Sequence, residues 1–410
     1  MRLSASEEIH LTYCSNIHPG ESLSETRREL ELHLPELKKR LSPDHTFGTG
    51  LRLSAAAARA LNDPVHLKEF KSWLEQEGLY VFTLNGFPYG SFHGTVVKDQ
   101  VYAPDWRNDK RVSYTRDLIQ ILRELLPEGN EGSISTSPLS YKPWFAGEET
   151  EELFQKSVSN LTTLAWELHQ LEESSGKYIH LDIEPEPDCI LENSEETIQF
   201  FQSQLFPNGS KLLVKKYQIS PEQAHNLLAR HIKVCYDTCH FAVEYEKADT
   251  AIQSLLDAGI GIGKIQISAA LQAKTKTDMD RAKVSERLRD FAESTYLHQT
   301  IGMSSSGRLQ HFNDLPEALQ EIESSPSEEW RIHYHVPIFL NRFGPLQSTR
   351  DDISETLDLL KRKSFCKHLE IETYTWEVLP DELKSDITDS VEREYRWVLS
   401  EWGSGKQATK

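Results

Sequence analysis

Short apolar or β-branched runs alternate with longer amphipathic ones along most of this chain. The short runs are strand-like: residues 9–16, 47–53, 79–84 (LYVFTL), 132–137 (GSISTS), 178–184 (YIHLDIE), 232–237 (IKVCYD), 262–268 (IGKIQIS), 330–337 (WRIHYHVP) and 368–374 (HLEIETY). Between them lie helix patterns. Residues 21–41 place Leu23, Leu30, Leu34 and Leu37 near helical spacing, and Pro35 is expected to break or bend that helix. Asp63-Pro64 opens a second helix and Gly78 closes it. Residues 114–126 put Leu118, Ile119, Leu122 and Leu125 on one side, and residues 148–175 form a long helix or helix pair. Asn193 followed by Glu196 resembles a capping box, and Ser220-Pro221-Glu222-Gln223 is a stronger helix start. The tail, residues 380–402, is helical and amphipathic.

Strands alternating with helices call for parallel βαβ units. At 410 residues this predicts one α/β domain: a (β/α)8 TIM barrel with insertions and a C-terminal helix. Nine strand candidates compete for eight places, so one is an inserted or edge strand. Residues 278–325 separate two strands by far more than a normal connection and read as an insertion. No GxGxxG and no GxxxxGK[ST] is present, which removes the usual support for a dinucleotide or P-loop fold.

Composition narrows the partners. The chain is 38% hydrophobic and 27% charged, ordinary for a globular protein. Its net charge of −19 repels phosphate backbones and anionic lipid, so no nucleic acid partner is expected. No run of about 18 apolar residues exists to insert in a membrane. Residues 1–10 are polar and lack the apolar core of a signal peptide. Five scattered cysteines without a CxxC pair fit reduced thiols in a cytoplasmic protein. The expected partner is a small-molecule substrate.

In a parallel barrel the reactive groups lie at the C-terminal ends of strands. Glu184 ends one strand, Asp237 ends the next with His240 three residues on, and Gln266 and Ser268 lie on the following one. Glu370 and Glu372 share a face of the last strand, and His333 and His335 point the same way by the strand period. Asn16 and His18 follow the first strand. Converging carboxylates cannot all ionise in a core without a cation. A divalent metal (Mn, Fe, Co, Zn or Mg) held by Glu184, Asp237, Glu372 and a histidine such as His335 would satisfy them. Two loops could wall a substrate pocket: residues 16–20, and residues 85–93 with Asn85, Phe87, Tyr89 and His93.

These residues resemble a known superfamily. Glu184 in LDIEPEP, Asp237-Thr-Cys-His240, a polar residue on the next strand and Glu372 in IETY look like the xylose-isomerase-like TIM barrels, which include sugar phosphate isomerases and epimerases and endonuclease-IV-type enzymes. More narrowly, LTYCSNIHPGES, TLNGFPYGSFHG, GSISTSPLSYKPW, DTCHFAVEYE, YLHQTIG, RIHYHVPIF and LEIETYTWEVLP resemble the EboE family across residues 11–380. That family is described as metabolite traffic proteins, tied to movement of a small prenylated or pigment-precursor metabolite. The resemblance implies that Glu184 and Glu372 are bridging carboxylates and act as acid and base, that Asp237 is a metal ligand and that His240 binds metal or substrate. The histidine that usually completes the set would fall at Gln266, a poorer ligand, and His335 or His333 could take its place.

Three functions follow as expectations. The first is a metal-dependent isomerase or epimerase with Glu184, Glu372 and His240 in catalysis. Its substrate would rest against Asn16, His18, Asn85, Phe87, Tyr89, His93, Gln266 and His333. The second is a metabolite-binding or trafficking protein on the same barrel without turnover. The third, an endonuclease-IV-like phosphoesterase, is opposed by the charge and by Gln266.

Overall fold

The computed structural model describes residues 1–4, 8–87, 98–145, 149–376 and 378–403. Eight parallel strands form a ring: β1 (Ile9–Tyr13), β2 (Phe47–Arg52), β3 (Leu79–Asn85), β4 (Gly132–Thr136), β5 (Ile179–Ile183), β6 (Ile232–Asp237), β7 (Ile262–Ile267) and β8 (His368–Ile371). Along β2 to β8 each pairs with its chain neighbour, and β8 returns to β1. Between β1 and β2 the ladder shrinks to a single bridge from Cys14 to Gly50. Thr12 seals the rest: its hydroxyl donates to Gly48 O (3.1 Å) and accepts from the Gly50 N–H (2.8 Å). The expected α/β barrel is therefore present and nearly closed. The helix Ile387–Gly403 follows its last strand.

The outer faces of the strands carry the aliphatic core that helices cover. The inside is unusual. Barrel interiors are normally filled by branched aliphatic side chains. Here many inward positions are polar or charged: His180 and Asp182 on β5, Lys264 and Gln266 on β7, Glu370 on β8, all buried. Contacts between non-neighbouring strands prove the direction. Lys264 Nζ donates to Ser135 Oγ of β4 across 3.3 Å. A Cβ at Gly50 of β2 would meet Glu370 Oε1 at 1.9 Å, so only glycine leaves room for that carboxylate. Lys264 and Glu370 form a fully buried ion pair in mid-barrel.

Of the nine strand candidates, 330–337 is the one outside the ring. Its first residues end the strand Ser327–Ile332 of a second, antiparallel sheet. That sheet is built from Leu271–Lys274, Thr300–Ser304, Leu309–Phe312, Ser327–Ile332, Arg342–Phe343 and Leu346–Ser348. It is inserted between β7 and the helix Arg350–Lys363 that leads to β8. Pairing is antiparallel because the run returns on Leu271–Lys274 and Thr300–Ser304 rather than crossing the barrel wall.

Local signals set most helix starts. Ser22 and Glu25 form a reciprocal cap for Leu23–Leu41, and Ser220 with Gln223 does so for Pro221–His231. Asp63 accepts from the Val65 and His66 N–H groups at the start of Pro64–Gln76. Asn193 accepts from the Glu196 N–H, but the Glu196 carboxylate turns to the Glu192 N–H instead, so that box is half made. Pro35 does not break the helix: Leu23–Leu41 runs through it. Buried Leu30, Leu34 and Leu37 press both halves onto the core, which offsets the backbone bond that proline removes. Among the described residues no helix is long and apolar enough to cross a membrane. All five cysteines are free and buried.

Candidate metal centre

Asp237 closes β6 and caps the helix Thr238–Val243. Its Oδ1 accepts three hydrogen bonds, from the N–H groups of Cys239 (2.7 Å) and His240 (3.0 Å) and from the Ser268 hydroxyl (2.6 Å). Its Oδ2 is buried with no partner. The cap turns the chain so that His240 stands over the barrel mouth, with its Nε2 3.9 Å from that free oxygen. His335 Nε2 lies 4.0 Å from the same oxygen.

A third imidazole, His333, meets these two rings, and the protons of all three are set by their surroundings. His240 Nδ1 donates to Pro185 O (2.9 Å) and His335 Nδ1 donates to Glu372 O (2.8 Å), and a main-chain carbonyl can only accept. His333 Nδ1 faces Gln299 Oε1 at 2.7 Å. The Gln299 amide is oriented in turn: its Nε2 donates to Pro187 O and to the Tyr102 hydroxyl, which donates to Glu186 Oε1. Each neutral ring therefore spends its single N–H on Nδ1. The three Nε2 atoms carry bare lone pairs, yet His240 Nε2 and His333 Nε2 are 3.1 Å apart, and His333 Nε2 and His335 Nε2 are 3.3 Å apart. Burial and the neighbouring rings push His333 well below the ordinary imidazole pKa, and burial pushes His335 down to about 4, so these two rings resist a second proton. A metal ion would relieve the crowding of all three lone pairs. Corners of a tetrahedral zinc shell with bonds of 2.0–2.1 Å lie about 3.3 Å apart, close to these separations.

The carboxylates complete the mouth. Glu372 follows β8, and its Oε1 accepts from the side-chain amides of Asn16 (2.8 Å) and Asn85 (3.1 Å). Its Oε2 lies 3.8 Å from His335 Nδ1. Glu184 follows β5, with Oε1 4.0 Å from His240 Nδ1 and Oε2 unpartnered. Burial raises both carboxyl groups well above the usual range; Glu372 and Asp237 raise Glu184 further, and Asp237 and Glu370 raise Glu372. All these groups surround a narrow cavity of about 60 Å³, room for a few water molecules. Its outer wall is largely apolar, from Phe87, Val101, Tyr296, Leu297 and Tyr374.

The structure thus brings Asn16, Asn85, Phe87, Glu184, His240, His333, His335 and Glu372 to one cavity, with Asp237 beneath them. It does not bring His18, which lies beside the mouth: His18 meets the Tyr13 hydroxyl through Nε2 and stacks on His33 at 4.4 Å. Gln266 sits a layer below, paired in register with Asp237 and Glu370, its amide buried without a partner. Tyr89 and His93 fall outside the described residues. Glu370, the other choice on β8, is held inside the barrel by Lys264. Glu186, Tyr102 and Gln299 were not anticipated. Glu186 continues the inward parity of Glu184, which could have flagged it; Gln299 lies in the insertion, just before the strand Thr300–Ser304, where no barrel periodicity applies.

Fold and site together define a (β/α)8 barrel with a buried histidine–carboxylate set at its C-terminal mouth. No family model matches this chain, and no curated protein does. Several solved structures are similar in outline. An IolI protein with a bound zinc atom is 12% identical, covers 97% of this chain and 100% of its own, and gives a TM-score of 0.48. A xylose isomerase-like TIM barrel protein from Mycobacterium smegmatis in complex with magnesium is 9% identical over 98% and 99%, with a TM-score of 0.49. A xylose isomerase domain protein from Alicyclobacillus acidocaldarius is 9% identical over 96% and 98%, with a TM-score of 0.46. None of the three bears on the narrower likeness to the EboE family.

Proposed function

We propose that this protein is a divalent-metal-dependent enzyme that moves a proton on a small metabolite, an isomerase or epimerase in kind. The observation that carries the reading is the meeting of three bare imidazole nitrogens, two of which, those of His240 and His335, face the free oxygen of Asp237. Asp237, His240, His333 and His335 would hold the ion, and three imidazoles favour zinc, cobalt or manganese over magnesium. When bound, such an ion polarises a substrate oxygen. Glu184 and Glu372 line the same cavity, and carboxyl groups raised above their ordinary range are suited to give and take a proton. The two asparagine amides hold one oxygen of Glu372 in place, and the apolar wall excludes water from the exchange.

A panel of aldoses, ketoses and 2-hydroxy ketones incubated with metal-loaded protein in D2O tests this. Carbon-bound deuterium uptake is expected, lost in Glu184→Gln while the metal stays. The second reading, a binding or trafficking protein, draws on Gln266: the amide stands where the resemblance to the xylose-isomerase-like superfamily places a ligand histidine, and it is left unpartnered. Tight ligand retention without deuterium uptake, indifferent to chelator, would establish that reading instead.

A further inference from the structure

The opposite end of the barrel carries a second set of metal-binding groups, unconnected with the mouth. His180 is the second residue of β5, fully buried. Its Nδ1 meets Asp182 Oδ1 at 2.7 Å, and Asp182 Oδ2 accepts from the Ser133 hydroxyl at 2.6 Å. This is the carboxylate–histidine arrangement that orients metal-bound imidazoles. The local backbone is shaped for it: a Cβ at Gly263 would lie 1.9 Å from Asp182 Oδ1 and 2.7 Å from His180 Nδ1. With Nδ1 engaged, His180 Nε2 is left buried with no partner at all.

His368, the first residue of β8, packs edge-on against that ring at 5.2 Å. Its Nδ1 faces Gly263 O and its Nε2 faces Glu131 O, each at 3.0 Å. Both oxygens can only accept, whereas a neutral imidazole has one N–H. One ring nitrogen therefore opposes a carbonyl lone pair unless a cation is supplied. The Glu131 carboxylate stands at the rim, one oxygen bound to Lys367 Nζ at 2.6 Å. Ligand-capable atoms of Glu131, His180 and His368 all lie within 4.8 Å of one another. Lys367 is neutralised by Glu131, and Lys233 lies 5.3 Å from the Tyr178 ring.

We infer that Glu131, His180 and His368 form a second metal site, at the N-terminal end of the barrel, of the class that takes zinc or cobalt. Two imidazoles and one carboxylate are a three-residue zinc set with a fourth position for water. Glu131 at the rim gives the ion a way in, and Asp182 with Ser133 fixes the buried ring.

The test uses the full chain, stripped by chelator and titrated with Zn²⁺ or Co²⁺, with bound metal counted by elemental analysis. The variant Asp237→Asn/His335→Ala disables the mouth and should still retain one equivalent. Adding Glu131→Gln, a rim change that spares the core, should weaken that equivalent at least tenfold. No retained equivalent, or one that neither Glu131→Gln nor His180→Asn weakens, overturns the site. Should the mouth variant fail to fold, ¹⁵N-histidine spectra of the stripped native protein decide. Metal-dependent shifts of the His180 and His368 rings support the site. Unchanged rings, with both His368 nitrogens protonated, show that a proton is the only cation there.

Discussion

The two ends of this barrel satisfy histidine in different ways. At the mouth, each of three rings is tied through Nδ1 to an oxygen on a different segment: Pro185 beyond β5, Gln299 in the insertion and Glu372 beyond β8. The free nitrogens of His240 and His335 then face Asp237, with that of His333 against both. At the lower end the groups come from the strands and their immediate flanks, and one ring is tied to a carboxylate rather than a carbonyl. The mouth thus depends on an insertion to bring His333 and His335 over the barrel, whereas the lower end needs only the ring itself. A cluster built by the scaffold is harder to lose by loop variation than one assembled from loops. Between the two lies the Lys264–Glu370 pair, which keeps the interior charged along its length.

Breaking that middle should have the largest effect. Lys264→Met leaves Glu370 buried and unpaired, and stability measured by urea unfolding should fall by about 3–5 kcal/mol. The double variant Lys264→Met/Glu370→Leu should recover most of the loss, because it removes the stranded charge as well. If the single variant were as stable as the parent, the pair would not be what holds the interior together.

The mouth comes next. His335→Ala removes one corner of the ligand set and should lower metal affinity about 100-fold or more, read by titration against a competing chelator. His18→Ala, a residue the fold places beside the cavity, should leave that affinity unchanged. Equal losses for the two would break the distinction drawn between them.

The lower set and the mouth were unequally legible in the amino-acid sequence. Glu184, Asp237 and Glu372 stood out because each follows or ends an apolar run, and their parity with Glu370 was visible. The same parity runs backwards through His180 and Asp182, and through His368, yet a barrel interior is expected to be aliphatic, so polar residues early in a strand draw no attention. The ninth strand could not be placed because an antiparallel insertion and a barrel strand share the period of two. Pro35 does not interrupt its helix because packing of Leu30, Leu34 and Leu37 holds both halves on the core. Gln299 gave no signal: its role exists only once Tyr102 and His333 meet it across the insertion.

A pH experiment sharpens the frame around the mouth. Glu394, on the C-terminal helix, is buried and accepts at Oε1 from the Thr373 hydroxyl (2.7 Å) and the Ile338 N–H (3.3 Å), joining that helix to the segments carrying Glu372 and His335. Burial lifts its carboxyl pKa to about 8. The folded protein keeps this proton while the unfolded chain loses it above its ordinary value near 4.5. This group's contribution is fully present below that value and is lost as pH rises toward 8, by at most about 1.4 kcal/mol per pH unit. Glu394→Gln keeps the acceptor and cannot ionise, so its stability should depend less on pH across that window, as urea unfolding from pH 5 to 8 would show. An unchanged slope would mean that Glu394 ionises freely in the folded state.

The smallest effect separates the two ends most cleanly. Ser133 touches nothing at the mouth; its hydroxyl serves Asp182, which orients His180. Ser133→Ala should cost about 1 kcal/mol of stability, the ordinary worth of one buried hydrogen bond to a carboxylate that keeps its other partner. It should also weaken metal at the lower set several-fold by loosening the His180 ring, while leaving metal at the mouth as tight as before. Since the two clusters share no ligand, each should respond only to changes in its own support. A Ser133→Ala variant that loosened metal at the mouth by the same factor would show that the charged interior couples the two ends, and that they must be treated as one site.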